Sequence, residues 1–291
     1  MSRNDSRHGG ENTSPGDANF PVTEVEDTTN NSTQPLSFSV PTEQVELPSQ
    51  GRYYPENHPL HKAETIEIKF MTAKEEDILT SPSLLKKNLT MERLLRSVII
   101  NKMIDPQHLL IGDRNAILVA TRKTGYGEDY EVKTSCPSCL APNEWSTNLD
   151  EVKVVKGGVA SAEGYEVSDN EDGTFDVVLP KSKVTVTVKL LTGRDEKEIA
   201  ARAQKRKKHK LEENNLTEQL KAMIISVNGT RNFKDVENFV NFVPAFDSKY
   251  LRNAYAKIMP NIDMSHDFEC SSCDWEGTME VPLTAEFFWP K

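Results

Sequence analysis

The four cysteines of the chain form two Cys-x-x-Cys pairs, Cys136 with Cys139 and Cys270 with Cys273. Two thiolates with this spacing fit two corners of a tetrahedral zinc site, and two such turns supply all four ligands. We therefore predict one structural zinc ion bound by Cys136, Cys139, Cys270 and Cys273. Because four protein ligands leave no open position for water, this metal would stabilise the fold and would not catalyse a reaction.

Two other interpretations of the cysteines stay open. A redox dithiol needs only one Cys-x-x-Cys, typically at a helix start where the thiol pKa is lowered. Here strands are predicted before both pairs, and the second pair would be surplus. The thiols could also carry no metal, because the 130 residues between Cys139 and Cys270 exceed the spacing in a compact zinc ribbon. His266 could replace a cysteine as ligand, but four thiolates already complete the site, so we interpret it as a surface or packing histidine.

The cysteine pairs end two segments in which the same elements are predicted in the same order: strand, helices, strand, Cys-x-x-Cys. Period-two apolar patterns predict the strands, and stripes at i, i+3, i+4 and i+7 predict the helices. Asp113 and Asp247 are predicted as helix caps, and Thr72 with Glu75 as a capping box. Gly125-Tyr126-Gly127 is predicted to end the helix that starts at Asp113, and the stripe of the helix opened by Thr217 is predicted to extend to Val227. The matched positions are Thr72 and Thr192, Thr90 and Thr217, Asn101 and Asn228, Asp113 and Asp247, and Cys136 and Cys270. Their spacing grows from 120 to 127 to 134 residues, which indicates an internal duplication with small insertions.

The predicted fold class is α+β, with two tandem related copies joined by a shared zinc-ribbon-like site. Residues 1–46 are predicted to be a disordered acidic tail, because their polar composition cannot bury enough apolar surface. Residues 47–150 form the first copy, residues 151–163 a linker containing Gly157 and Gly158, and residues 164–291 the second copy. Asp172-Gly173 between two alternating segments predicts a hairpin, which we interpret as an extra element of the second copy.

Composition and charge narrow the classes of function. The net charge is −10, and residues 1–50 contribute −6 of it through eight acidic residues and two arginines. A chain with this negative net charge has no general attraction to nucleic acid, because nucleic-acid binding usually needs a basic surface. The chain has no apolar run long enough for a membrane span and no signal peptide at its N-terminus. We expect a protein of a reducing cytosol, where paired cysteines favour metal binding over disulfides.

The remaining polar motifs give no convincing active site. The basic run from Arg202 to Lys210 could bind phosphate or an acidic partner, but it is typical of the solvated end of a helix, where cations suit the helix dipole. Asp105, Asp113 and Arg114 are candidates for acid–base chemistry. No Ser/His/Asp triad order, glycine-rich phosphate loop or paired carboxylates accompany them in the sequence. Trp145 and Trp275 each follow a cysteine pair, and we interpret them as shielding or packing residues. We therefore predict that the protein is not an enzyme and binds no small-molecule substrate.

Several motifs, taken in order, resemble one phage protein family. They are Leu-Pro-Ser-Gln-Gly-Arg-Tyr-Tyr-Pro at residues 47–55, residues 72–79 after the first strand, residues 110–114, Tyr126-Gly127 before Tyr130, and Phe-Phe-Trp-Pro at residues 287–290. Together they resemble the baseplate hub and hub-assembly proteins of T-even-type contractile-tailed bacteriophages. The resemblance covers residues 47–145 well and the rest loosely. The long acidic N-terminus departs from the family pattern.

The resemblance implies a non-enzymatic structural or assembly protein of the phage tail baseplate hub that binds other baseplate or hub proteins. It would be located in the virion tail baseplate, or in the host cytoplasm during assembly. An assembly chaperone that is absent from the finished particle is also consistent with this sequence. The alternative function is a cytosolic zinc-ribbon protein that binds nucleic acid or acts in transcription, which the cysteine pairs and the basic run favour and the acidic balance opposes.

Overall fold

Helices and short antiparallel sheets alternate along the chain in a computed structural model, which describes residues 39–281, 283 and 285–288. The described strands are β1 (Thr42–Glu46), β2 (Thr65–Lys69), β3 (Asp129–Ser135), β4 (Pro142–Asn148), β5 (Lys153–Val155), β6 (Val167–Asp169), β7 (Thr174–Val178), β8 (Thr185–Lys189), β9 (Ile224–Val227), β10 (Asn261–Asp263), β11 (Ser265–Glu269) and β12 (Glu276–Glu280). The described α-helices are α1 (Ala73–Thr80), α2 (Pro82–Lys86), α3 (Thr90–Val98), α4 (Ile111–Tyr126), α5 (Gly193–Lys208), α6 (Asn215–Met223), α7 (Phe233–Phe242) and α8 (Ala245–Ile258).

The strands form one four-stranded sheet and four two-stranded sheets. The four-stranded sheet has the order β6-β7-β8-β9, and the pairs are β1-β2, β3-β4, β5-β10 and β11-β12. One hydrophobic cluster runs through the helices and most of the sheets, from Val45 to Phe288. The predicted mixture of helix and sheet is confirmed. Among the described residues no helix has the length and hydropathy that a membrane span requires.

The hairpin β1-β2 has a counterpart in β7-β8. Thr42 lies opposite Lys69 in the first hairpin, and Thr174 lies opposite Lys189 in the second. Corresponding positions are therefore 132 residues apart in the leading strands and 120 apart in the following strands. The difference arises in the connections, which comprise residues 47–64 in the first hairpin and residues 179–184 in the second.

Both connections begin with Leu-Pro and turn in the same way. Leu47 and Leu179 are fully buried. The Leu47 N–H donates to the Glu64 carbonyl at 2.8 Å, and the Leu179 N–H donates to the Val184 carbonyl at 2.9 Å. Each bond closes its hairpin just before the second strand. The hairpin predicted around Asp172-Gly173 is formed by β6 and β7, and β7 also pairs with β8 in the arrangement that β1 has with β2.

A matching pair of capping boxes starts α1 and α5. The Thr72 N–H and hydroxyl both donate to the Glu75 carboxylate, at 3.0 and 2.6 Å. The Thr192 N–H and hydroxyl donate to Asp195 in the same way, at 2.9 and 2.8 Å. Capping boxes satisfy backbone donors that a helix start leaves free. The helix start predicted at Thr72 is confirmed.

The ends of α3 and α6 have a different spacing from the two threonines that are predicted to match. Ile99 ends α3 and bridges to Ile68, and Ile224 ends α6 and lies opposite Val188. The helix ends are thus 125 residues apart, whereas the Thr90–Thr217 match gave 127. Thr90 is buried and Thr217 is partly exposed, so the two threonines do not occupy matching environments. Val227 is also not part of the helical stripe, since it lies in β9.

Two of the predicted ranges, the linker and the tail, contain strands. The linker at residues 151–163 contains β5, which pairs with β10, and the Gly158 N–H donates to the Ile258 carbonyl at 2.8 Å. Gly157 has φ +62°, and a Cβ there would lie 2.4 Å from the Ile258 oxygen, so this segment packs closely on the end of α8. At the N-terminal side, β1 lies inside the range predicted as a disordered tail. Residues 1–38 of that range lie outside the described residues.

Deleting residues 1–46 is expected to lower the melting temperature well below that of a protein lacking only residues 1–38. The longer deletion removes β1, its five-residue pairing with β2 and the buried Val45 side chain. Losing one buried Val and exposing a sheet edge should cost about 3 kcal/mol or more. Thermal unfolding of the two truncated proteins measures the difference. Equal melting temperatures would show that β1 contributes nothing to the fold.

Replacing Glu75 with glutamine should destabilise the protein most at neutral pH. The Glu75 carboxylate is buried and accepts from Lys69 at 2.7 Å, from Ser97 and from Thr72. Burial raises the pKa of Glu75, but these hydrogen bonds outweigh it and lower the pKa from 4.5 to about 2. A lowered pKa means that the contribution is present above pH 4.5 and is lost as the pH falls toward 2.

The expected loss for Glu75→Gln is about 2–3 kcal/mol at pH 7, the range for hydrogen bonds to a charged group. Denaturant unfolding of both proteins between pH 7 and pH 3 measures it, and the difference should shrink below pH 4.5. Asp150→Ala is the control, since that carboxylate pairs with Lys123 at the surface. A Glu75→Gln difference that is constant with pH would contradict this account.

Candidate metal centre

The two cysteine pairs lie in the turns of two similar hairpins. Cys136 and Cys139 connect β3 to β4, and Cys270 and Cys273 connect β11 to β12. The Cys136 N–H donates to the Ala141 carbonyl at 2.9 Å, and the Cys270 N–H donates to the Trp275 carbonyl at 3.0 Å. Each bond closes the turn five residues after its first cysteine. Both turns therefore close with the same five-residue hydrogen bond, although Leu140, with φ +60°, gives the first turn a backbone that the second lacks.

The hairpins bring all four thiols together. The sulfur atoms lie within 4.8 Å of one another, with Cys136 Sγ 3.8 Å from Cys273 Sγ and Cys139 Sγ 3.7 Å from Cys270 Sγ. Four sulfurs around a zinc ion at a bond length of about 2.3 Å are separated by about 3.8 Å along each tetrahedral edge. The spacing fits a metal bound between the pairs and is too long for S–S bonds. The four predicted ligands can hold a metal ion.

Backbone N–H groups favour the thiolate form at the site. The Ser138 N–H points to Cys136 Sγ and the Ser272 N–H points to Cys270 Sγ, both at 3.4 Å. The Ser272 N–H lowers the pKa of Cys270 to about 6. The Trp275 N–H lowers the pKa of Cys273, but burial and the neighbouring thiols outweigh it and raise that pKa to about 12. Crowded like charges resist ionising together, and a bound divalent cation would remove that repulsion.

Asn143 on β4 connects the two hairpins beside the sulfurs. Its side-chain oxygen accepts from the Ser271 N–H at 3.0 Å and from the Ser271 hydroxyl at 2.7 Å. Its amide nitrogen lies 3.7 Å from Cys270 Sγ. Asn143 therefore holds one cysteine turn against the other, and groups that orient metal ligands in this way are often needed for tight metal binding. No sequence pattern indicates this role, because nothing near Asn143 points to a partner in the other hairpin.

Aromatic side chains cover the site. Trp145 stacks on His266 with ring centroids 4.1 Å apart and planes at 5°, and Trp275 packs on Phe268 at 5.8 Å. Gly277 leaves room for the Trp275 ring, which a Cβ would meet at 2.7 Å. The interpretation of both tryptophans as packing residues is confirmed. His266 belongs to this packing and is not among the clustered ligands.

The two aspartates predicted as helix caps have a different role. Asp113 and Asp247 are the third residues of α4 and α8, and both are fully buried. Asp113 accepts from the Ser49 N–H at 2.9 Å, the Ser49 hydroxyl at 2.6 Å and the Tyr54 hydroxyl at 2.8 Å. The carboxylate therefore ties the helix to a segment 64 residues earlier. Burial raises the pKa of Asp113, although the Ser49 and Tyr54 hydrogen bonds oppose it.

Asp247 repeats this arrangement with two donors. It accepts from the Lys181 N–H at 3.0 Å and the Ser182 N–H at 2.8 Å. These donors follow Leu179-Pro180, as Ser49 follows Leu47-Pro48. Both carboxylates therefore hold the turn of a Leu-Pro connection against the start of a helix. Their hydrogen bonds explain them as structural groups.

The other charged candidates are also engaged in structural contacts. Asp105 accepts from the Gln107 N–H at 3.1 Å and pairs with Arg96 at 2.9 Å. Arg114 pairs with Glu196 on α5. Asp105 and Arg114 are therefore in separate ion pairs, and the contacts of Asp113 are with neither of them.

The basic run forms the last turns of α5 and the residues after it. Arg202 pairs with Glu218 at 3.3 Å, and Arg206 donates to the Glu212 carbonyl at 3.0 Å. The four lysines of the run are exposed to solvent. The run is therefore the solvated end of a helix, as predicted. The described part of the chain contains one group of three or more potential metal ligands, and it is the four-cysteine cluster.

Comparison with known proteins gives one match. A family model described as T4 bacteriophage base plate protein matches residues 40–289. This range includes every element from β1 to β12 and both cysteine pairs. No curated protein and no solved structure matches the chain.

Proposed function

Because the chain belongs to the T4 bacteriophage base plate protein family, we propose that it is a non-enzymatic structural or assembly protein of the baseplate hub. It binds other baseplate proteins and is located in the virion tail baseplate, or in the host cytoplasm during assembly. The family match over residues 40–289 carries this proposal. The structural pairing of Asp105, Asp113 and Arg114 supports a role without catalysis.

The metal belongs to the same proposal. One zinc ion, bound by Cys136, Cys139, Cys270 and Cys273, holds the β3-β4 hairpin to the β11-β12 hairpin. The sulfur spacing supports a tetrahedral ion, and an all-thiolate ligand set favours zinc over magnesium or calcium. The ion supplies folding free energy, and its place between two hairpins makes it a clasp between the halves of the chain.

We further propose that the two halves derive from a tandem duplication. The matching hairpins, Leu-Pro turns, capping boxes, buried aspartates and cysteine turns support this, since they occur in the same order. The first copy then begins with β1 near residue 40 and the second with β7 near residue 174. The intervening residues 151–173, including β5 and β6, join the copies.

Infection with a phage whose gene for this protein is disrupted tests the function. Electron microscopy of infected cells should show filled heads without complete baseplates, and the normal gene supplied from a plasmid should restore tails. Mass spectrometry of purified virions then separates a hub subunit, present at fixed stoichiometry, from a chaperone that leaves. Normal tails combined with a defect in DNA synthesis or transcription would contradict the baseplate role.

The nucleic-acid function has its own test. The acidic balance predicts negligible binding to DNA or RNA even at low salt, despite the lysines at the end of α5. Phosphate-driven binding would weaken steeply as salt rises. Fluorescence anisotropy across salt concentrations measures this, with the four lysines Lys205, Lys207, Lys208 and Lys210 changed to glutamine as the matched variant. Salt-sensitive binding that this variant loses would support the alternative function.

A further inference from the structure

An exposed aromatic surface surrounds the start of α8. Phe242 is 84% exposed and Phe246 is 58% exposed, and the residues between them, Val243, Pro244 and Ala245, are exposed or partly exposed. We call residues 242–246 the aromatic edge. Large apolar side chains grouped at a surface mark interaction sites more often than scattered ones do. The question is which surface covers them.

The residue before α4 has the same backbone conformation as the residue before α8, but another segment of the chain covers it. Leu110 precedes α4 with φ −59° and ψ 144°, and Pro244 precedes α8 with φ −56° and ψ 140°. Around Leu110, the Ile111 N–H donates to the Leu191 carbonyl at 3.1 Å, and the Gly193 N–H donates to the Leu109 carbonyl at 3.0 Å. These two bonds form an antiparallel bridge, and Leu109, Leu110 and Leu191 are buried by it.

At the aromatic edge the equivalent backbone groups are unused. Val243 corresponds to Leu109 and Ala245 to Ile111, at the 134-residue spacing of Asp113 and Asp247. Within the described residues, the Val243 carbonyl and the Ala245 N–H make no hydrogen bond. The edge therefore offers one acceptor and one donor in the geometry that the first half uses.

The segment that covers Leu110 also has a counterpart elsewhere in the chain. The segment that covers Leu110 is residues 191–193, where Thr192 has φ −107° and ψ 170°. Its counterpart is residues 71–73, where Thr72 has φ −124° and ψ 173° within the same kind of capping box. Within the described part of the chain, the Met71 carbonyl and the Ala73 N–H make no hydrogen bond either. We call residues 71–73 the acceptor edge.

Charged side chains lie beside both edges. Lys181 lies over the Phe246 ring at 5.3 Å and Lys249 is exposed on the first turns of α8. Beside the acceptor edge, Lys74, Glu76 and Asp77 are exposed on α1.

In the internal junction Glu196, the counterpart of Glu76, pairs with Arg114 across the interface. Ser248 stands at the position of Arg114, and Glu76 accepts from the Tyr126 hydroxyl at 3.0 Å. The exposed Asp77 is therefore the acidic group that Lys181 or Lys249 of another copy would meet.

We propose that copies of this chain associate head to tail, with the aromatic edge of one copy bound to the acceptor edge of the next. The Ala245 N–H donates to the Met71 carbonyl and the Ala73 N–H donates to the Val243 carbonyl, while Phe242 and Phe246 are covered. The contact repeats between copies the bridge that joins residues 109–111 to residues 191–193 within one copy. The inference rests on this equivalence and not on the proposed baseplate role.

Sedimentation velocity of the full-length protein, up to its solubility limit, tests the proposal. The weight-average sedimentation coefficient of the wild-type protein should rise with protein concentration. Phe242→Ser/Phe246→Ser should weaken association at least about tenfold, because buried aromatic residues dominate interface energy. Phe233→Ser is the matched control, since Phe233 is 64% exposed on α7 outside the edge and its loss should change nothing. Near-unchanged melting temperatures show that each variant is folded.

Proline substitutions test the hydrogen bonds themselves. Ala73 and Ala245 are the first residues of α1 and α8, where proline removes an N–H without disturbing the helix. Ala73→Pro and Ala245→Pro should each weaken association, whereas Ala73→Ser and Ala245→Ser, which keep the N–H, should not. An equimolar mixture of Ala73→Pro and Phe242→Ser/Phe246→Ser should form a dimer and nothing larger, because only one pair of intact edges remains.

Three results would overturn the proposal. The wild-type chain could remain monomeric at its solubility limit, which would assign the aromatic edge to a different protein. Association could survive in Phe242→Ser/Phe246→Ser. It could also be lost in that variant but unchanged in Ala73→Pro, which would mean that the aromatic edge contacts a surface other than residues 71–73.

Discussion

Replacing Cys139 with serine is expected to destabilise the protein by about 5 kcal/mol or more, although the Cys139 side chain is exposed. Substitution of an exposed residue outside a specific site usually changes stability by less than about 0.5 kcal/mol. A zinc ligand is different, because structural zinc contributes about 10–16 kcal/mol of apparent binding free energy that the fold uses. The exposed cysteine should therefore matter as much as the buried Cys136.

Comparing an exposed cysteine with a buried one distinguishes stabilisation by a bound metal from stabilisation by side-chain packing. Chemical unfolding of Cys139→Ser, Cys136→Ser and the control Ser138→Ala should give two equally destabilised proteins and one near wild type. A chelator should reduce wild-type stability to the level of the cysteine variants. If Cys136→Ser is destabilised and Cys139→Ser is not, the thiols only pack, and the metal clasp is wrong.

Replacing Asp113 with alanine is expected to cost about 3–5 kcal/mol without any effect on the metal site. The substitution leaves three buried donors unpaired, namely the Ser49 N–H, the Ser49 hydroxyl and the Tyr54 hydroxyl. Each buried donor without an acceptor costs about 1–3 kcal/mol. Asp247→Ala should cost less, because its donors lie on Lys181 and Ser182, which are exposed, whereas Ser49 is fully buried.

Denaturant unfolding of the two aspartate variants measures this order, and metal content shows that the cysteine site is intact. Asp267→Ala is a suitable control because Asp267 is exposed and its contact with Thr278 is long, at 3.5 Å. Near-wild-type stability of Asp113→Ala would show that water reaches the buried donors and replaces the carboxylate, which would contradict the role assigned to Asp113.

The features predicted correctly from the sequence are those with local signals. Cys-x-x-Cys spacing identifies the thiols, Thr72 and Glu75 identify a capping box, and Gly127, with φ +83°, identifies the end of α4. Each signal lies within a few residues and depends on side-chain chemistry that acts at that range. The four thiols could be matched across the chain because cysteines are few.

The missed features depend on contacts between distant segments. The correspondence of Leu47-Pro48 with Leu179-Pro180 was not predicted because the connections that follow differ in length, so no constant spacing links them. The sequence predicts only a cap at Asp113, because its donors, on Ser49 and Tyr54, lie about 60 residues away in sequence. It does not separate β1 from the tail, because five residues with one buried side chain, Val45, have little periodic signal.

Native mass spectrometry of the protein, purified without added metal, tests the central claim most directly. The account predicts one zinc ion per wild-type chain. It predicts that each of the variants Cys136→Ser, Cys139→Ser, Cys270→Ser and Cys273→Ser loses this ion. It also predicts that zinc in the wild-type protein is released only when the thiols are modified or the protein unfolds. A metal-free chain with four reactive thiols, or two zinc ions per chain, would contradict the single clasp between the two hairpins.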